Sequence, residues 1–174
     1  EMRASGHANP SKSFPFLTTR EMFVIKAGDD PAAYAAADET QRRAMLATLD
    51  RDGTTDERVG QVFGSGKPVE VESIEWFASM RDEAKLMRLL AGLPDDTARK
   101  IMAVNPVFDE AESQGWSYVG YKGGSETGVL NLSWLLRDDA GRWHMLAISQ
   151  MDTHSEVDAG TLLSIAKRIL ALAE

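Results

Sequence analysis

Trp116-Ser117-Tyr118-Val119-Gly120-Tyr121-Lys122-Gly123-Gly124-Ser125-Glu126-Thr127-Gly128-Val129-Leu130-Asn131-Leu132 is the stretch on which the fold turns. Its first seven residues, Trp116 to Lys122, are rich in aromatic and β-branched side chains and predict a strand. From Val129 to Leu136 the pattern alternates: Leu130, Leu132, Trp134 and Leu136 share one face, Asn131 and Ser133 the other. Taken alone, Lys122-Gly123-Gly124-Ser125 reads as a hairpin connection between the two strands.

Moving towards the C-terminus, Asp138-Asp139-Ala140-Gly141 is a four-residue turn signal, and Arg142 to Gln150 predicts a third strand. Ser155 to Glu174 then reads as an amphipathic helix whose Leu162, Leu163, Ile165, Ala166, Ile169 and Leu170 would lie on the sheet. Asp152-Thr153-His154-Ser155-Glu156-Val157-Asp158 contains carboxylates and an imidazole that could hold a metal. A helix start is the simpler reading, with Ser155 as cap and acids at the positive end of the dipole.

The residues before Trp116 carry helix signals. Thr18 or Thr19 can cap a helix through Glu21, Met22, Phe23 and Ile25 to Gly28. A short alanine-rich helix and a longer one from Glu39 to Leu49 follow. Asp50 to Pro68 predicts a loop, and Val69-Glu70-Val71-Glu72 a short strand. Ser79-x-x-Asp82 matches a capping box, and Met80, Ala84, Met87 and Ala91 form one apolar stripe ended by Gly92 and Pro94. Asp95 opens a last short helix ending near Asn105-Pro106. The expected organisation is a mainly helical region, 1–115, and a strand-and-helix region, 116–174, in one compact α+β unit.

With 174 residues, 43% hydrophobic and 26% charged, the chain suits a globular domain. Its formal charge of −8 argues against a nucleic-acid partner. No apolar run long enough for a transmembrane helix occurs. The absence of cysteine removes thiol catalysis, disulfides and thiolate metal sites. Glu1 to Gly6 reads as the last turns of a helix stopped by glycine, which suggests a missing upstream segment.

The segment from Trp116 to Leu132 resembles the strand, lysine triad and return strand of the penicillin-recognising serine hydrolases, the group of class A β-lactamases and penicillin-binding proteins. Thr18-Thr19-Arg20-Glu21-Met22-Phe23 resembles the helix start after that family's omega loop. Ile74-Glu75-Trp76-Phe77-Ala78-Ser79 is similar to a segment of a lactamase-related branch. With Asn105-Pro106 and the terminal helix, these matches fall in family order along nearly the whole chain.

The resemblance implies the later half of a β-lactamase/transpeptidase-like fold: helices, three antiparallel strands and a packing helix. It implies an acyl-enzyme reaction on a β-lactam, peptide or ester. Lys122 would anchor the substrate, since an ammonium at a cleft edge attracts a carboxylate. The backbone N–H of Ser125 would serve the oxyanion hole, where one donor is worth about 3–4 kcal/mol. Gly123, Gly124, Glu126 and Trp116 would lie along the substrate, the glycines allowing close backbone approach. Neither metal nor organic cofactor is implied. The partners would be a small-molecule or peptidyl substrate and the missing N-terminal segment of the same protein. A periplasmic or extracellular setting is implied by the same likeness.

Three departures accompany it. The family's Ser-x-x-Lys and Ser-Asp-Asn motifs are absent from the expected places; Ser164-Ile165-Ala166-Lys167 spells the first, but lies in the terminal helix. Gly123 replaces the hydroxyl residue at the middle of the triad. The loop from Asn9 to Phe16 offers no glutamate for a hydrolytic water. The competing reading is a non-catalytic binding or partner module of the same fold. His7 and His144 read as structural or solvated, the tryptophans 76, 134 and 143 as core or sheet-face residues, and Gly64-Ser65-Gly66-Lys67 lacks the spacing of a phosphate loop.

Overall fold

The computed structural model of the chain describes His7 and residues 10–52 and 56–173. The expected C-capped helix end at Glu1 to Gly6 lies outside the described residues. The chain divides into two compact units, one of residues 1–79, 126–129 and 151–157, the other of 80–125, 130–150 and 158–174. The expected division after residue 115 follows the change from helix to strand along the chain; the second compact unit holds three helices with most of the strand residues.

The first unit is helical. A 3-10 turn, Pro10–Ser13, precedes α1 (Thr19–Lys26), which starts as the sequence predicts. Thr18 accepts a hydrogen bond from the Glu21 backbone N–H, and Glu21 accepts one from Thr18 N–H, a complete capping box. α2 (Pro31–Ala36) has proline at its first position and Asp30 as its cap, and α3 (Glu39–Ala47) is capped reciprocally by Asp38 and Gln41. Leu17, Met22, Ile25, Tyr34 and Ile74 form a buried cluster, with Ala35, Leu46 and Leu49 packed on it.

Two expectations fail in this unit. The stretch 50–68 is not all loop: α4 spans Asp56–Phe63, with Asp56 and Glu57 in its first turn and Phe63 ring-to-ring with Phe23 at 5.0 Å. Glycine and charge density around Val59, Val62 and Phe63 hide this single apolar edge. Val69 to Glu72 is a turn rather than a strand. Glu70 adopts a positive φ of 49°, its carbonyl accepts the N–H groups of Ser73 and Ile74, and Val71 is buried.

The second unit is α+β. α5 (Met80–Gly92) begins immediately after Ser79, and Met87 at the centre of the predicted stripe is buried while Leu86 and Leu89 face outward. α6 (Thr97–Met102) follows. β1 (Trp116–Glu126), β2 (Val129–Asp138) and β3 (Trp143–Met151) form one sheet in the order β1-β2-β3. Asn131 and Ser133 were expected on the face opposite Leu130, Leu132, Trp134 and Leu136. Ser133 and Leu135 are buried as well as Leu132, Trp134 and Leu136, so both faces of this part of β2 are covered. Trp134 is wholly buried, stacks on Phe108 at 4.7 Å and donates its indole N–H to the Pro106 carbonyl.

α7 (Ala159–Leu172) starts four residues later than expected. Asp158 is its cap, accepting from Thr161 N–H, whereas Ser155 sits in a turn in which Asp152 accepts from the N–H groups of His154 and Ser155. Leu162, Ala166 and Leu170, each four residues apart, are its buried stripe; Ile165 and Ile169 are exposed, contrary to expectation. No described helix is long and apolar enough to cross a membrane.

Candidate functional site

The lysine triad lies within a strand and not in a connection. β1 continues through Gly123, Gly124 and Ser125 to Glu126, and the turn is the pair Thr127-Gly128. Gly128 has φ 81°, and a Cβ there would meet the Asp152 carbonyl and lie 2.6 Å from Pro68 Cγ, so the reversal depends on glycine. Because β1 is the first strand of the order, its outer backbone edge has no neighbouring strand in the sheet.

On this edge Lys122 is exposed, and its ammonium donates to the carbonyl of Gly123. Gly124 and Ser125 are also exposed. The glycine at the middle of the triad has a packing reason. Residues 121 and 123 share a face, and a Cβ at 123 would collide with the Tyr121 hydroxyl. Tyr118 lies over Gly120 in the same way, so the strand seats two tyrosines on two glycines.

Of the other residues expected along the substrate, Trp116 and Glu126 have surroundings of their own. Trp116 is six positions from Lys122, about 20 Å along a strand. It lines a separate cavity of about 320 Å³ with Gly115, Asp138, Arg142 and His144. Its indole N–H is buried and has no hydrogen-bond partner among the described residues. Glu126 turns its carboxylate to Lys26 at 2.5 Å.

That contact belongs to a cluster the sequence does not announce. The Lys26 side chain is fully buried and its ammonium donates to both Glu75 and Glu126, whose side chains are 18% and 13% exposed. Burial pushes the Glu75 carboxyl up to about 8; its hydrogen bond with Glu126 adds to the rise, and the Lys26 charge opposes it. The one available signal was a lysine closing an otherwise apolar helix end, Phe23-Val24-Ile25-Lys26, and such a residue ordinarily serves the helix dipole.

His144 belongs to a second pairing. Its Nε2 lies 3.0 Å from Asp138 Oδ2 and its ring meets Trp116 edge-on at 5.3 Å. The hydrogen bond to His144, then those from Arg142, hold the Asp138 carboxyl well below the usual carboxylate range. In the Ser-x-x-Lys look-alike, Ser164 is exposed on α7 and Lys167 pairs with Glu112 at 2.6 Å. Among the described residues no three His, Asp or Glu side chains converge as a metal site would require. No protein-family profile matches the chain, and no curated protein sequence matches it significantly.

Proposed function

We propose that this chain is part of a serine hydrolase or acyltransferase of the β-lactamase-like group, acting through an acyl-enzyme on a β-lactam, peptide or ester. It supplies the lysine-triad strand and the Ser125 backbone N–H, with the nucleophile contributed by a segment outside this sequence and an exported setting. The observation that carries this reading is the position of Lys122-Gly123-Gly124-Ser125 on the free edge of an antiparallel sheet. An edge strand whose consecutive residues Gly123 and Gly124 carry no side chain can receive an extended acyl substrate by backbone pairing there, and an ammonium beside it draws the substrate's carboxylate. A return strand, a third strand and a terminal helix follow in the order that the resemblance requires.

The reading is tested with a fluorescent penicillin and intact-mass detection. A covalent adduct on the protein that includes the upstream segment, lost in Lys122→Gln, supports it. An adduct on this chain by itself overturns the placement of the nucleophile, and no adduct on either overturns the activity. A non-catalytic binding module is favoured by one observation: the Lys122 ammonium is engaged by its own strand's carbonyl. Reversible binding of a penicillin to the longer protein without an adduct would select that second reading.

A further inference from the structure

We propose that Lys26, Glu75 and Glu126 form a proton-storing latch, in which one proton held between the two carboxylates fastens the loop 70–79 and the end of β1 to α1. All three residues belong to the first compact unit, and the inference does not depend on the hydrolase reading.

Charge balance makes the case. One ammonium, without solvent exposure, accepts the attention of two carboxylates that are themselves more than four-fifths covered. With both acids ionised the cluster would carry a net negative charge in a poorly hydrated place, which proteins avoid by keeping a proton. Both carboxylates converge on that single ammonium, and a proton on one of them removes the excess negative charge.

Among the described residues, the arginines of α1 and α4 hold acids of their own. Lys26 from α1 and Glu126 from the end of β1 are the charged groups that act on Glu75. Among the helices packed on α1, α2 carries no charged residue. On α4, Arg58 pairs with Asp29 and donates to the Ala27 carbonyl, while Asp56 pairs with Arg20.

The cluster joins three separate pieces of chain. Lys26 ends α1, Glu75 follows the turn made by Glu70, Ser73 and Ile74, and Glu126 precedes the Thr127-Gly128 reversal. The reversal is itself tied by the Asp152 N–H to the Gly128 carbonyl at 2.8 Å. Removing the proton places two like charges in contact and loosens those attachments; restoring it closes them.

Infrared difference spectroscopy and amide hydrogen exchange on the intact chain test this together. In the wild type a protonated-carboxyl band present near about pH 6 disappears by about pH 10. Over the same interval the Ser73, Ile74 and Asp152 amides exchange at least about tenfold faster than base catalysis alone predicts. Glu75→Gln and Glu126→Gln, which keep size and hydrogen bonding, each abolish both effects. A wild type without the band, or a band that survives both substitutions, overturns the stored proton. A band that titrates while exchange stays at the base-catalysed rate overturns the latch.

Discussion

Asp138, the last residue of β2, holds the imidazole of His144, the second residue of β3, at 3.0 Å across the hairpin that joins them. The same carboxylate accepts the Arg142 backbone N–H and its guanidinium, so one acid fastens the whole turn. A depressed carboxyl contributes stability that is present above its unfolded value and disappears as pH falls through the folded one. Thermal unfolding between neutral pH and pH about 2 is expected to show this acid loss in the wild type and a smaller one in Asp138→Asn. Identical slopes for the two proteins would remove the assignment.

Glu75 has the opposite sign. Its folded value is raised, so its contribution is complete below its ordinary 4.5 and is lost as pH rises towards about 8. The loss is at most about 5 kcal/mol, because each unit of difference is worth about 1.4 kcal/mol. The unfolding temperature should therefore decline through this interval in the wild type and stay nearly level in Glu75→Gln.

Lys26→Met leaves two carboxylates facing each other without their cation and should cost about 3–5 kcal/mol in denaturant unfolding at neutral pH. The triple variant Lys26→Met, Glu75→Gln, Glu126→Gln should recover most of that, since it removes the uncompensated charge. A triple variant as unstable as Lys26→Met alone would mean that packing around the lysine stem, not charge, sets the cost.

Gly128→Ala puts a Cβ against the Asp152 carbonyl at a φ of 81°. The combined backbone and steric penalty should be about 2–4 kcal/mol, read as a lowered urea midpoint. Gly124→Ala is the control, because nothing lies within 4 Å of its added methyl.

Lys122→Gln should change stability by no more than about 0.5 kcal/mol, since the side chain is exposed and its ammonium donates to its neighbour's carbonyl. The same variant should abolish acylation of the longer protein by a penicillin. A large stability loss would show that Lys122 is structural.

The parts of the fold legible beforehand are those whose signal is local. Thr18 with Glu21, Asp138 to Gly141, and the Met80-Ala84-Met87-Ala91 stripe each place their determinants within about three turns of chain. α4 escaped because Gly60, Gly64 and Gly66 imitate a loop, although Asp56 and Glu57 start a helix. The candidate strand was legible as far as Lys122, whereas Gly123 and Gly124 read as a connection and hid its continuation to Glu126. The Lys26 cluster was not, since Glu75 is 49 residues away and Glu126 is 100 away from the lysine. Pairing at such separation depends on tertiary assembly, which no short window of sequence displays.

Buried Arg42 donates to the carbonyls of Tyr34, Ala35 and Lys12, bonds made entirely to main-chain oxygens. The Lys12 carbonyl is therefore held by a guanidinium rooted in α3 whatever side chain stands at that position, whereas Ser13, buried and accepting the Phe77 N–H, is fixed by its own hydroxyl. Position 12 can be exchanged for the loss of one exposed bond to the Glu72 carbonyl, provided the arginine is kept.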